Sequence, residues 1–214
     1  RRQRQMCIRD SLRPLFEPKG VIVTGVSAHP GKFGFVALHN ILACGYTGPV
    51  FAVGREEGTV LNRPVLASVD AVPEGAAELL VLCTPVAANA EIVRSAAAAG
   101  VRAVFCAAGG YSEAGPDGGE AEDRLVDLAD ELGIVLAGPN GQGVVSTPVG
   151  LCAQIVAPFP TAGRIAVVSQ SGNFVSSFLN YANQTGVGIS RAVSAGNAAA
   201  VSVADYQRPA VPSN

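Results

Sequence analysis

Residues 21–45 read VIVTGVSAHPGKFGFVALHNILACG, and three kinds of pattern follow one another inside them. Val21-Ile22-Val23 is a β-branched run after Pro18-Lys19-Gly20, the signature of a buried strand. Gly25 to Gly34 is punctuated by glycine and proline and reads as a loop. Phe35, Leu38 and Ile41/Leu42 then recur at helical spacing until Gly45 stops the helix. Strand, glycine-rich turn and helix in this order open a βαβ unit.

The same rhythm continues outward. Strands are expected at Val50–Val53, Leu79–Cys83, Ala103–Cys106 and Ile134–Leu136, and helices at Val86–Ala99 and Glu120–Leu132. In the last helix Leu125, Leu128, Ala129 and Leu132 share a stripe from which most acids are excluded. Strands alternating with helices imply right-handed crossovers on a parallel sheet covered on both faces. After Pro139 the character changes. Residues 147–162, with Pro148, Pro158 and Pro160, read as an irregular linker, and the pattern restarts at strand Arg164–Val168, turn Ser169–Gly172, helix Asn173–Gln184 and strand Ile189–Val193. The expectation is an α/β chain: a Rossmann-like parallel-sheet domain over 11–146, a linker over 147–162, and the start of a second, flavodoxin-like α/β domain over 163–214, left incomplete.

Composition narrows the class. Of 214 residues 49% are hydrophobic and 15% charged, with a net charge of −2, so a disordered chain is excluded and the basic footprint of nucleic-acid binding is missing. No apolar run approaches the roughly 18 residues of a membrane span. Five cysteines without a Cys-x-x-Cys pair, and no export signal, suit a reducing cytoplasm. The two histidines lack a ligand cluster, so no metal site is expected. The basic head RRQRQMCIRD, residues 1–10, equals the translation of a transposon adapter and is expected to be non-native. The tail from Gln207 onward breaks a helix start with two prolines, which reads as a piece of a longer protein.

The chemistry is expected at the strand ends. A glycine turn before a helix leaves backbone N–H groups and the positive helix end facing a ligand, which suits phosphate. The loop departs from both common versions. Its Gly25–Gly31 gap is one residue too long for a nucleoside-triphosphate loop, and Phe33 stands where a magnesium-binding hydroxyl belongs. Ser27 replaces the second glycine of the dinucleotide fingerprint. What remains is Gly-x-Ser-x-x-Pro-Gly-x-x-Gly. After the second strand, Arg55 suits a phosphate on a ribose, while Glu56 and Glu57 keep a nicotinamide reading open. Thr84-Pro85-Val86, Ala108-Gly109-Gly110-Tyr111 and Gly138-Pro139-Asn140 follow successive strands and are expected to share one crevice. Ser169-Gln170-Ser171-Gly172-Asn173 repeats the strand–turn–helix logic as a second anion site, with a plain serine N-cap as the structural alternative.

With Ser11-Leu-Arg-Pro-Leu-Phe-Glu-Pro18, the Gly-x-Ser-x-x-Pro loop, Gly109-Gly110-Tyr111, Gly138-Pro139-Asn140 and Gly163-Arg-Ile-Ala-Val-Val-Ser-Gln-Ser-Gly172 in this order, the chain resembles the CoA-binding domain of NDP-forming acyl-CoA synthetases, the superfamily of the succinyl-CoA synthetase α-subunit. The resemblance runs from Ser11 to about Asp205. It implies an acid–CoA ligase that interconverts acyl-CoA, phosphate and ADP with carboxylic acid, CoA and ATP through acyl phosphate and phosphohistidine. It implies that Gly25, Ser27, Ala28, His29, Pro30, Lys32, Phe33 and Gly34 hold CoA phosphates, with Arg55 near a position where the family often carries lysine. Thr84, Pro85, Val86, Ala108, Gly109, Gly110 and Tyr111 would line the pantetheine, and Asn140 would lie near the thiol end. Ser169, Ser171, Gly172 and Asn173 would hold the phosphate of phosphohistidine. ATP, ADP and Mg would enter only through an ATP-grasp domain or subunit, with a small carboxylic acid as the other substrate and an oligomeric parent. Two departures stand out: Gly141 replaces the Cys or Ser that often follows Gly-Pro-Asn, and neither His29 nor His39 has the phosphohistidine context. This stretch alone is therefore expected to be inactive. A non-catalytic CoA-sensing module, as in an acetyltransferase-type relative, and a nicotinamide-dependent oxidoreductase are the alternatives.

Overall fold

A computed structural model describes residues 8–156 and 159–210 of the chain. The expected head and tail otherwise lie outside the described residues. Helix α1 (Ile8–Phe16) precedes β1 (Val21–Val23), α2 (Phe33–Ala43), β2 (Val50–Val53), β3 (Gly58–Val60), β4 (Arg63–Leu66), β5 (Leu79–Leu82), α3 (Val86–Ala98), β6 (Ala103–Cys106), α4 (Pro116–Glu131) and β7 (Val135–Ala137). These strands form one sheet in the order β3-β4-β2-β1-β5-β6-β7, parallel except for the edge pair β3/β4. The chain works outward from β1 on one side and resumes at β5 on the other, so the order reverses between β1 and β5. In open α/β sheets that reversal opens a crevice at the strands' carboxyl ends.

Both faces of this sheet are dry, which is why the strands read as continuous apolar runs. Val21, Val23, Leu79, Val81 and Phe105 pack with Leu38 and Ile41 of α2 and Leu15 of α1. Ile22, Leu80, Leu82, Val104 and Leu136 pack with Val93 of α3 and Leu125 and Leu128 of α4. Leu132, expected on the buried stripe of α4, is its C-cap and is exposed.

The hairpin β3–β4 was not expected. Its turn residues, Leu61 and Asn62, both take positive φ, at 50° and 60°, and Leu-Asn is not one of the glycine-containing pairs that mark such turns.

The stretch expected as a linker is also structured, a correction with a clear cause. β8 (Gly143–Ser146) and β9 (Leu151–Gln154) form an antiparallel hairpin across a 3-10 turn at Thr147–Val149, and Pro148 sits in that turn rather than in a strand. The hairpin joins β10 (Ala162–Ser169) and β11 (Ile189–Ser194) in a second sheet of order β10-β11-β8-β9. Residues 143–146, placed by the sequence in the first domain, therefore pair with the second. Helix α5 (Gly172–Thr185) covers one face through Val175, Leu179 and Ala182. The other face, with Val144, Leu151, Ala153 and Val193, packs into the same core as α1 and α2. One helical layer thus serves two sheets. α6 (Val203–Ala210) adds Tyr206, whose ring meets Phe16 edge-on at 6.4 Å. Arg191 of β11 lies over Phe16 and pairs with Glu17. Among the described residues no helix is long and apolar enough to cross a membrane.

Leu80 is fully buried in the centre of β5. Leu80→Ala is expected to lower the stability of the chain by about 2–5 kcal/mol, whereas Phe174→Ala at an exposed site on α5 should stay within about 0.5 kcal/mol. Urea titrations followed by circular dichroism measure both; a Leu80→Ala loss no larger than that of Phe174→Ala would show that the face of β5 has been misread.

Candidate functional site

The turn after β1 is shaped by backbone contacts that exclude side chains. Gly25 has φ +69° and lies against the Cys83 carbonyl, where an added Cβ would stand 2.6 Å from the oxygen. A methyl on Gly34 would overlap the Gly25 carbonyl, and one on Gly54 would overlap the Val26 carbonyl. The ends of β1, β2 and β5 and the start of α2 therefore meet backbone to backbone. Hydrogen bonds from Thr24 N to Val81 O and Val26 N to Val53 O, both 3.0 Å, extend the sheet into the turn. No side chain caps α2 at Lys32, so its first N–H groups and its positive end remain available to a ligand.

A cleft of ≈ 520 Å³ opens here. Gly25, Ser27, Lys32, Arg55, Thr84 and Pro85, expected from the sequence, line it together. Among the described residues no hydrogen bond or ion pair engages the side chain of Lys32 or Arg55. Glu56, Asp70 and Glu91 stand on the same wall, so the cations are balanced against acids rather than forming a uniformly basic pit. Ser68, Asp70, Glu91, Ile92 and Ser95 were missed by the sequence reading. Ser68 carries a readable signal, since its Oγ accepts from the Asp70 N–H at 3.1 Å as an N-cap; the α3 residues are simply one face of an ordinary helix.

Other expected residues are placed differently. Ala28, His29, Pro30 and Phe33 are exposed in the loop and are not part of the cleft wall. His29 shapes the turn, its Nδ1 accepting from the Gly31 N–H at 3.1 Å. Val86 and Tyr111 face a separate hollow of ≈ 490 Å³ between α3 and α4. The Tyr111 ring is 1% exposed, so its side chain belongs to the core. Its hydroxyl lies 2.7 Å from the amide of buried Asn89, which also sits 2.8 Å from Thr84 Oγ1. Asn89, invisible to motif reading, thus ties the ends of β5 and β6 together. Ala108, Gly109, Gly110 and Asn140 lie at the ends of β6 and β7; Asn197, from the loop after β11, bonds Asn140 directly and reaches Gly110 through Glu113. The single crevice expected from the sequence is accordingly divided into a cleft on the β1–β2–β5 side and a bonded cluster on the β6–β7 side. Gly141 is packed against the Ser194 carbonyl and the Phe105 ring, so the site has no room for the Cys or Ser side chain.

At the second turn Ser171 is the N-cap of α5, accepting from Phe174 N at 3.3 Å, and Ser169 Oγ accepts from Ser171 N at 3.1 Å. Each hydroxyl keeps its own proton to donate. Gln142 was not anticipated. Its side chain lies over Gly172, where a Cβ would meet Cγ and Cδ, and its Nε2 donates to Asn173 Oδ1 at 3.2 Å. The space over Gly172 is thus held by a side-chain amide.

Charge states at the site follow from burial and donors. Burial works to raise the Glu113 pKa, but donation from Asn197 and from the Gly110 and Tyr111 amides outweighs it and holds the carboxyl below its ordinary value. Burial pushes the Cys83 and Cys106 thiols up to about 12, so the thiol beside the cleft stays protonated. Cys44 is held below the usual thiol range by its hydrogen bond with Cys152, which is itself raised far above it.

A family model described as a CoA binding domain matches residues 19–147, and one described as a succinyl-CoA ligase like flavodoxin domain matches residues 162–210. The chain is 33% identical over 192 residues to acetate–CoA ligase [ADP-forming] I of Archaeoglobus fulgidus, covering 90% of this chain and 28% of that protein. It is 33% identical to the α subunit of acetate–CoA ligase [ADP-forming] I of Pyrococcus furiosus, covering 91% of this chain and 43% of the subunit. It is similar in structure to the dinucleotide forming acetyl-coenzyme A synthetase 1 of Ca. Korarchaeum cryptofilum in complex with phosphate and ADP, with a TM-score of 0.85, 29% identity, and coverage of 91% of this chain and 41% of that one. The chain therefore spans less than half the length of these relatives.

Thiol chemistry provides a direct check on the site. In the folded protein at pH 7, Cys44 should be alkylated by iodoacetamide well before Cys83, Cys106 or Cys152, as read by peptide mass spectrometry. Early modification of Cys83 would show that the cleft thiol is activated.

Proposed function

The chain belongs to the CoA binding domain family, and from that premise we propose that the cleft at the β1–β2–β5 ends holds the nucleotide end of CoA. One observation carries this reading: two cations without partners, Lys32 and Arg55, share a cleft with the glycine turn and the uncapped start of α2. The turn amides and Lys32 suit the pyrophosphate. Arg55 stands after β2, where a dinucleotide site would carry a ribose-binding acid, and its planar donors suit the ribose phosphate that distinguishes CoA from NAD. Thr84 and Pro85 continue the wall toward the Gly109–Gly110 turn, the proposed path of the pantetheine. Asn140 then marks the thiol end.

In the whole protein this portion would serve an NDP-forming acid–CoA ligase. The Ser169–Asn173 turn is proposed to bind phosphate, or the phosphoryl group of a phosphohistidine supplied from outside this stretch. An incoming anion would first displace the Gln142 amide from Gly172. An ATP-grasp domain or subunit would supply ATP, ADP and Mg, and a small carboxylic acid would be the acyl substrate. The cytoplasm is the compartment such CoA chemistry implies. Two of the named relatives are ADP-forming ligases, which favours this over a CoA-sensing module, and the missing dinucleotide fingerprint together with Arg55 disfavours the nicotinamide reading.

Titration calorimetry on the whole chain with CoA, dephospho-CoA and NAD tests the proposal. CoA is expected to bind tightest, with dephospho-CoA weaker by roughly tenfold, the equivalent of one charge-assisted contact. Arg55→Ala should remove that difference while leaving dephospho-CoA binding unchanged. Equal affinity for CoA and dephospho-CoA would take the ribose phosphate away from Arg55, and a preference for NAD would overturn the reading. With acetate, CoA and ATP, the chain by itself is expected to form no thioester above background; turnover would mean the catalytic groups have been misplaced.

A further inference from the structure

Asn197 sits in the loop after β11, in the second sheet's half of the molecule, yet its bonds reach into the first. Its Nδ2 donates to Glu113 Oε2 at 2.6 Å and to Glu122 Oε2 at 2.7 Å, with Ser112 Oγ at 3.1 Å. Its Oδ1 accepts from Asn140 Nδ2 at 3.3 Å. Its backbone N–H donates to Pro139 O at 2.9 Å, and that of Ala199 to Gly138 O at 3.1 Å. One amide has two N–H protons, and here both are directed at carboxylates within two hydrogen-bond lengths of each other.

Those carboxylates hold the loop after β6. Glu113 Oε1 accepts from Gly110 N at 2.5 Å and Tyr111 N at 3.2 Å. Glu122 Oε2 accepts from Ser112 Oγ at 2.8 Å and Ser112 N at 3.3 Å. Among the described residues no lysine or arginine pairs with either acid. Two like charges are held together by neutral donors alone, and Asn197 is the donor they share. Without it, one carboxylate takes up a proton or swings away. If Glu113 swings away, Gly110 and Tyr111 lose their acceptor.

We propose that Asn197 is a positioning residue for CoA: by bridging Glu113 and Glu122 it fixes the Gly109–Gly110–Tyr111 turn, so that the second sheet sets the affinity of a ligand bound at the first. This rests on the reading that CoA passes along that turn. The other titratable groups facing the pair are Cys106 on β6 and Tyr111. Burial raises both, Cys106 to about 12, so neither changes charge between pH 5 and 8.

The test compares wild type, Asn197→Leu and the double variant Asn197→Leu/Glu122→Gln as whole chains, with dephospho-CoA as the probe because it lacks the phosphate monoester that itself titrates near pH 6. At pH 8 Asn197→Leu should bind at least about fivefold more weakly than wild type, because the two carboxylates lose the donor they share. The double variant, with one charge removed, should recover binding to within about twofold of wild type. Wild-type affinity in Asn197→Leu overturns the proposal, as does a double variant that binds no more tightly than Asn197→Leu. If Asn197→Leu does not fold, the near-isosteric Asn197→Asp decides: a third carboxylate in place of the shared donor should weaken dephospho-CoA binding by at least about fivefold, and unchanged binding sinks the idea. Failure of wild type to bind CoA or dephospho-CoA would instead bring down the CoA reading itself.

Discussion

Backbone laid directly on backbone at Gly25, Gly34 and Gly54 is the constraint on which the ligand end of this molecule depends. The Gly25 carbonyl fills the space beside Gly34, and the Val26 carbonyl fills the space beside Gly54. Three strand ends and a helix start occupy a volume that would not admit one added methyl group among them. The free ends of the α2 amides are delivered to the cleft as a result, with no side chain in between. Glycine at these positions weakens the chain locally through its conformational entropy, a cost offset by the fully buried strands Val21–Val23 and Leu79–Leu82 that flank the turn.

The second constraint is the sharing of α1 and α2 between two sheets. Leu15, Leu38 and Ile41 belong to the same core as Val23 and Val81 of the first sheet and Val144, Leu151 and Val193 of the second. Asn40 fastens α2 to the second sheet, donating to the Gln154 and Val156 carbonyls at 2.8 and 3.0 Å. A helical layer that is apolar on both sides cannot let one sheet go without exposing itself to water. The two sheets are held as one packed unit, and loops from the second reach the strand ends of the first at defined distances.

Much of this was legible in the sequence, for a physical reason. Parallel strands covered on both faces must be continuously apolar, and the helices between them end at glycines with positive φ, such as Gly45, Gly100 and Gly133, so runs and stops could be read residue by residue. The cleft residues Gly25, Ser27, Lys32, Arg55, Thr84 and Pro85 were legible because strand ends are where ligands approach. What was lost depends on long-range pairing. β8 and β9 were hidden because Pro148 lies in the turn between them while the outer partner of β8 is β11, far along the chain. Asn89, Gln142 and Asn197 were hidden because a lone amide in a loop or helix has no spacing to reveal it; only the fold shows which carboxylate or backbone group it meets.

The two strand–turn–helix units illustrate how similar local grammar leads to different chemistry. At β1–α2 the helix start has no side-chain cap and two cations stand on the cleft wall. At β10–α5 the cap is made by Ser171, and the space over Gly172 is taken by Gln142, whose Oε1 is buried without a partner. A buried carbonyl oxygen left unpaired carries a cost of roughly 1–3 kcal/mol, which is recovered if the amide swings out when an anion takes its place. The first site offers two unpaired cations and an uncapped helix start among the acids Glu56, Asp70 and Glu91. The second offers the neutral hydroxyls of Ser169 and Ser171 beside the Gln142 amide. The difference rests on side chains that the backbone pattern alone does not specify, so one strand–turn–helix grammar yields two electrostatically different surfaces on the same scaffold.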